Sequence, residues 1–298
     1  MDTLEAMTMF VREVERGSFS AVARELGTTQ PTVSKQISAL EQRLGGRLIA
    51  RSTRQLSLTD EGQRYYRQCR DILAAIDTAE HSFQTGREAV AGPLRVASSV
   101  SFGRMQIAPR LHRFLQRYPE VTIDLSLEDR NVDLVSDGID VAIRIGELQD
   151  SGLISRRLGL TRRRVVASSA YLSQHPEPHT PEELVQHNCI LFSLLAKFDT
   201  WHFNDGAHSV RVAGNARSNN SEAIRQMVLS GLGISLSPSW LYREDIKAGR
   251  VLPILSGYAP TALPIYAVFP ANRRESARVR ACVDFLAEAF AEDEDLQG

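Results

Sequence analysis

At 298 residues, 43% hydrophobic and 24% charged, the chain has material for two or three compact units and lacks the composition of a disordered segment, a collagen or a coiled rod. Its formal net charge of −1 excludes a globally basic nucleic-acid coat, so contact with a polyanion has to come from a local basic surface. Arg24, Lys35, Arg43, Arg47, Arg51 and Arg54 form one such run against only Glu25 and Glu41, although charge alone reads it as solvated surface.

In chain order, Leu4, Met7, Val11 and Val14 recur at helical spacing, with Phe10 beside them. Gly17 ends that helix and Ser18 caps a second, short one carrying Phe19, Val22, Ala23 and Leu26. After Gly27, Thr29 caps a third helix with Pro31 in its first turn, where a missing N–H costs little. Val33, Ile37, Leu40 and Leu44 mark its buried face, and Gly45-Gly46 ends it. Leu48 to Arg51 and Leu56 to Leu58 read as a small hairpin. Thr59 then opens the longest helix, with Asp60 and Glu61 near its positive end, and it runs to about Gly86. Tyr65, Cys69, Ile72, Ile76, Ala79 and Phe83 are spaced 4, 3, 4, 3 and 4 along it, a heptad seam that suits the pairing of two copies or, alternatively, one side of a core helix.

Gly86 to Pro93 reads as a hinge. Beyond it, strands at Leu94 to Ser98, Val121 to Leu127 and Ile139 to Ile145 alternate with a helix at Arg104 to Tyr118 and a short helix at Leu134-Val135. The helix's inner face is read as Ala108, Leu111, Leu115 and Tyr118. This βαβαβ order implies a parallel sheet. A second unit starts near Arg164 and holds strands at Cys189 to Phe192 and Ile234 to Leu236, alternating Val210 and Val212, and a helix from Glu222 to Ser230. A strand at Ile265 to Val268 and a helix at Ser276 to Phe290 follow, and the residues alone leave open whether they return to the first unit.

The first three helices have the form of a helix-turn-helix. On the third, Gln30, Thr32, Ser34, Lys35 and Ser38 face outward while Val33, Ile37 and Leu40 point in, as a helix entering a major groove requires. Arg51 and Arg54 at the hairpin tip suit phosphate or minor-groove contact.

The run Gly17 to Leu26, then Thr29-Gln-Pro-Thr-Val-Ser-Lys-Gln-Ile-Ser-Ala-Leu-Glu41, Leu44-Gly45 and Leu48 to Gly62 resembles the signature of LysR-type transcription regulators over about sixty positions. Ile49-Ala50 departs from the family's usual Phe followed by Glu or Gln. Asp140 to Gly146, Ser168 to Leu172, Pro181 to Leu184, His187 to Cys189, Gly231 to Ile234 and Arg278 to Arg280 are similar to the family's effector domain. The resemblance implies an α/β protein with a helix-rich N-terminal part. That part is a winged helix-turn-helix over 1–58, followed by a linker helix and hinge over 59–92. An effector domain over 93–298 has two Rossmann-like subdomains resembling a type II periplasmic binding protein, the first at about 93–162 and 266–298 and the second at about 163–265. It implies DNA contacts at Ser18, Gln30, Pro31, Thr32, Ser34, Lys35, Ser38, Arg51 and Arg54 on an inverted-repeat double-stranded site. It also implies a homodimer or homotetramer, a small-molecule effector, and RNA polymerase as a partner. No membrane partner is expected.

In open α/β units ligands lie beyond the carboxyl ends of strands. Ser98, Ser99, Ser101 and Phe102, then Asp129-Arg130, then Ser218-Asn219-Asn220 meet that rule, and the resemblance adds Phe192-Ser193. Arg144 ends another strand and suits a carboxylate, so an organic anion is the expected ligand class.

Cys69, Cys189 and Cys282 are too few and too scattered for a disulfide framework, which points to a reducing compartment. The first residues include Asp2 and Glu5 and no apolar h-region, and no run approaches a membrane span, so a cytoplasmic location is expected. His175 and His179 are separated by Pro176 and Pro178, which forbid a shared helix, and His187 with Cys189 lacks further ligands nearby, so no metal is expected. No Walker loop, Gly-x-Gly-x-x-Gly or Gly-x-Ser-x-Gly occurs; neither a cofactor nor an enzyme is expected. A ligand-independent architectural DNA binder and a small-molecule-binding protein without a regulatory role are the alternatives.

Overall fold

The computed structural model describes residues 2–50, 57–85, 90–130, 132–148, 152–195, 197–274 and 276–297, which divide into two compact units. The N-terminal unit holds α1 (Thr3–Arg16), α2 (Phe19–Glu25), α3 (Gln30–Leu44), β1 (Ile49–Ala50), β2 (Ser57–Leu58) and α4 (Asp60–Thr85). Its caps are those the sequence signals. Asp2 accepts from the Leu4 N–H, Ser18 from Ala21 and Thr29 from Thr32. Gly17 and Gly45 close α1 and α3 at φ 64° and 70°, a left-handed conformation that a Cβ disfavours.

Ala6, Met7, Phe10, Val22, Val33, Ile37 and Leu40 form the centre of this head, joined by Leu48 and by Cys69 of α4. Full burial of a side chain such as Phe10 stabilises by roughly 1.5–3 kcal/mol. Glu41 fixes the start of the wing: its Oε1 accepts from the N–H groups of Leu48 and Ile49 at 2.8 and 3.2 Å, and Arg47 donates to Oε2 at 3.1 Å. Glu13 is also fully buried, and neither of its carboxylate oxygens has a hydrogen-bond partner among the described residues. Burial pushes its carboxyl up to about 7.

The heptad reading of α4 needs correction at its first two positions. Cys69 is wholly buried in the head's own core, and Tyr65 packs its ring 5.9 Å from that of Phe10. The start of α4 lies on α1, so this part of the stripe is consumed within one chain. Further along, Ile72 is 41% and Phe83 91% exposed, Ala79 is exposed and Ile76 half-buried. Half of the predicted hinge, 86–89, lies outside the described residues, and Gly92-Pro93, expected within it, open strand β3 instead.

The second unit begins with β3 (Gly92–Ser98), α5 (Val100–Phe102), α6 (Leu111–Arg117), β4 (Val121–Leu127), β5 (Val141–Ile145), β6 (Leu153–Thr161), β7 (Arg163–Ser168) and α7 (Ser169–Leu172). It continues through β8 (Leu191–Phe192), β9 (Thr200–Phe203), β10 (His208–Arg211), β11 (Arg217–Ser218), α8 (Ser221–Leu229), β12 (Ser235–Pro238) and α9 (Arg243–Lys247). It ends with β13 (Val251–Ile254), β14 (Leu263–Pro270) and α10 (Ala277–Ala291). The larger sheet runs β4-β3-β5-β14-β6, and the smaller runs β12-β7-β13. The chain crosses from the larger sheet to the smaller at Arg162 and returns between Ile254 and Leu263.

Three expectations change here. The sheet is mixed rather than parallel: β3 and β5 are parallel, but β14 inserts antiparallel between β5 and β6. β6 escaped the sequence reading because Leu-Ile-Ser-Arg-Arg-Leu-Gly-Leu-Thr has neither alternation nor a continuous apolar run. Leu134 and Val135 lie in a turn, not a helix. The helix expected at Arg104 to Tyr118 is a chain of pitches: α5, a π-helical stretch over Gly103–Ile107, a 3-10 turn over Ala108–Arg110 containing Pro109, then α6. A π turn inserts one residue and rotates the following face. Phe114 is accordingly buried where Leu115 was expected to be.

Phe102 is wholly buried, its ring edge-on to Trp240 and Phe290 at 5.6 Å each. The Trp240 indole N–H donates to Thr161 Oγ1 at 2.9 Å, beside the crossing between sheets. Among the described residues no helix is long and apolar enough to span a membrane, and no group of three or more His, Cys, Asp or Glu could hold a metal ion.

Candidate nucleic-acid interface and ligand loop

Helix α3 of the head has a polar face. Val33, Ile37 and Leu40 anchor α3 inward, while Gln30, Pro31, Ser34 and Lys35 are exposed and Thr32 and Ser38 half-buried. Ser20 on α2 donates to Gln30 Oε1 at 3.0 Å, which leaves the Gln30 amide N–H groups directed elsewhere. The sequence reading passed over Ser20; its position on the outer face of α2, ten residues before Gln30, was the available signal. Thr32 shares a 2.8 Å hydroxyl contact with Thr29, and Ser18 is exposed while its Oγ caps α2. Of the basic run, Arg43 hydrogen-bonds Thr3, Arg47 pairs with Glu41, and Arg24 reaches the Ser20 carbonyl. Arg51 and Arg54 lie outside the described residues.

In the second unit the loop after β3 is tied down by its own chain. The Val100 N–H donates to Asp129 Oδ1 at 3.0 Å, and the Glu128 N–H to the Ser98 carbonyl at 3.0 Å. Asp129 Oδ2 accepts from Asn220 Nδ2 at 2.7 Å, and Asn220 caps α8 through Ala223 at 2.9 Å. Arg104 and Glu222 form an ion pair between the same two segments. Ser193 donates through its N–H to the Ser218 carbonyl, and Phe192 pairs with Ser218 across β8 and β11. Ser98, Ser99, Ser101 and Asp129 therefore gather on one side, with Ser218 and Asn220 joined to them; Asn219 beside these is exposed. The Ser98 and Ser101 hydroxyls are buried and have no hydrogen-bond partner among the described residues.

Other predicted residues stand elsewhere. Phe102 offers no stacking face, because its ring is enclosed by Trp240 and Phe290. Arg130 is turned to solvent, 77% exposed, and pairs with Glu128. Arg144 is half-buried and donates to the Val132 carbonyl at 3.2 Å; burial lowers its pKa. Asn220, the last residue of the expected Ser218-Asn219-Asn220 segment, is the one that both caps α8 and reaches Asp129. Burial pushes the thiols of Cys69, Cys189 and Cys282 up to about 11, 12 and 12, so the reactive thiolate is suppressed at all three.

Comparison with known proteins covers both units. The family description "Bacterial regulatory helix-turn-helix protein, lysR family" matches residues 4–63, and "LysR substrate binding domain" matches 87–291. The chain is 35% identical over 286 residues to the HTH-type transcriptional regulator CrgA of Neisseria meningitidis, covering 95% of this chain and 96% of that one. It is 35% identical over 292 residues to the HTH-type transcriptional regulator DmlR of Escherichia coli, covering 97% and 95%. The solved structure of CrgA superposes with a TM-score of 0.61 over 95% of this chain and 97% of that one, at 35% identity. Full-length AphB, a virulence activator of Vibrio cholerae, gives 0.58 at 28% identity, covering 96% and 99%.

Proposed function

This chain belongs to the LysR family of bacterial transcriptional regulators, and from that premise we propose how its own residues do the work. It is a sequence-specific DNA-binding regulator responding to a small-molecule effector. On our reading α3 enters the major groove with Gln30, Ser34 and Lys35 toward base edges or phosphates and Thr32, Ser38, Pro31 and Ser18 along the backbone. Arg51 and Arg54 add phosphate contacts. The observation that carries this is the division of α3 into an apolar face docked on the head and a slim polar face open to solvent.

Two copies pair through the later part of the α4 stripe, the exposed Ile72, Ala79 and Phe83 with the half-buried Ile76, and so present two recognition helices to an inverted repeat. Further association to a tetramer and contact with RNA polymerase follow the same reading. The effector sits at the Ser98–Ser101 loop facing Asp129 and the Ser218–Asn220 segment. Because Asp129 already takes the Val100 N–H, an organic anion has to displace it or draw out the two buried, unpartnered serine hydroxyls. Either event alters the Asp129–Asn220 bond and so shifts the balance between arrangements of the two sheets.

Footprinting of the full-length protein on DNA flanking its own gene, with a salt titration, tests the reading. A protected inverted repeat whose affinity falls steeply with salt is expected. Absence of any salt-sensitive affinity for duplex DNA would refute it.

A further inference from the structure

Sheltered arginines of the second unit are paired with acids: Arg110 with Asp293, Arg225 with Asp245, Arg273 with Asp140 and Arg95 with Asp124. Arg144, which donates to the Val132 carbonyl, and Arg163, at the start of β7, have no such acid among the described residues, and Arg163 is the one whose pKa burial lowers furthest. Its Nε donates to the Thr261 carbonyl at 2.7 Å, and no carboxylate stands within ion-pair distance among the described residues. Burial alone acts on it, lowering its pKa to about 10. A guanidinium has five N–H donors, so four remain for another acceptor. Beside it the Thr261 hydroxyl is buried and equally without a partner. Thr261 is held at both ends, its N–H donating to the His202 carbonyl at 3.0 Å and its own carbonyl taking Arg163 Nε.

We infer that Arg163 and Thr261 form a seat for a small oxyanion, a carboxylate or a phosphate, at the place where the chain crosses between the two sheets. A sheltered cation without a counter-charge is costly, and the two Nη groups with one hydroxyl match the oxygens of such a ligand. The position gives the seat a role. Arg163 opens β7 directly after the outgoing connection and Thr261 lies on the returning one, so a bound anion ties the two together. It would brace the flexing line of the domain from a point separate from the Ser98–Ser101 loop. The inference rests on no part of the DNA-binding reading, and its failure would leave that reading intact.

Thermal unfolding and titration calorimetry of the full-length protein, at constant ionic strength, with acetate, succinate, phosphate or sulfate replacing chloride, test it. At least one of these anions should give a saturable rise in melting temperature. The carboxylate and phosphate arms identify which oxyanion the seat takes. Arg163→Met should weaken that anion about tenfold or more, since hydrogen bonds to charged groups carry roughly 1.5–3 kcal/mol. Thr261→Val should weaken it by a smaller factor. Without anion, Arg163→Met should melt at or above the wild-type temperature, because it removes an uncompensated charge. No anion-specific stabilisation, equal stabilisation of Arg163→Met, or a lower anion-free melting temperature for that variant would each overturn the seat.

Discussion

In the head, Gln30, Ser34 and Lys35 of α3 stand exposed while Val33, Ile37 and Leu40 of the same helix are buried, although Leu44, expected on that buried face, is 42% exposed. In the effector domain, the polar groups proposed to meet a ligand are sheltered and engaged with one another, as Val100, Asp129 and Asn220 are, or buried and waiting, as Ser98 and Ser101 are. A partner as large as a duplex needs a surface ready-made. A small molecule needs an enclosed site, and until it arrives the chain's own groups satisfy part of that site. The head should therefore lose function by loss of contacts, and the effector domain by a shift in balance.

The largest expected effect breaks the head's pairing. Ile72→Asp with Ile76→Asp should give monomers by sedimentation and weaken binding to an inverted repeat by roughly 100-fold or more, because two linked heads bind with avidity. Unchanged sedimentation would rule out the seam.

Glu13 comes next. Its folded pKa of about 7 lies above the ordinary 4.5, so the stabilising state is the protonated one. That contribution is complete below about 4.5 and is lost as pH rises through 7, by up to about 3 kcal/mol. Glu13→Leu and Glu13→Gln should raise the head's calorimetric stability at pH 8 relative to wild type and flatten its pH dependence. Parallel pH profiles for the three proteins would sink this account.

Gln30→Ala and Ser34→Ala should each cost roughly 1–3 kcal/mol on the preferred operator and less on unrelated DNA, as read by competitive binding. Ser20→Ala, which frees the Gln30 side chain, should reproduce a fraction of the Gln30 effect. An equal loss on every sequence would reassign Gln30 to the backbone.

The smallest change is Asp129→Asn. Replacing one charged acceptor in the link to Asn220 should shift stability by about 1–2 kcal/mol. It should change hydrogen exchange at the Val100 and Ala223 amides while leaving operator selectivity in place. Unaltered exchange at both amides would mean that the link does not hold the two segments.

The same contrast explains what could be read from sequence. The head's elements follow local rules: caps at Asp2, Ser18 and Thr29, left-handed glycines at 17 and 45, and one apolar stripe per helix. Those signals lie within a few residues of what they control. The heptad stripe was visible too, but Tyr65 and Cys69 satisfy it inside the chain, and a period cannot say which surface fills it. The loop residues Ser98, Ser101 and Asp129 were found from strand ends. Their partner Asn220 lies 91 residues from Asp129, a juxtaposition created by topology. Phe102 was misjudged because a turn of irregular pitch follows it and Trp240, far along the chain, encloses it. Arg163 carried no sequence signal, since a missing counter-charge can be seen only once its neighbours are in place.

The placement of Trp240 gives the effector domain an optical handle. The chain has two tryptophans, at 201 and 240. With Trp201→Phe, emission would come from a single indole that touches the ring next to Ser101 and hydrogen-bonds beside the crossing at Arg162. Colour and quantum yield would then report on both, and unlabelled metabolite libraries could be surveyed in a cuvette before any promoter is known.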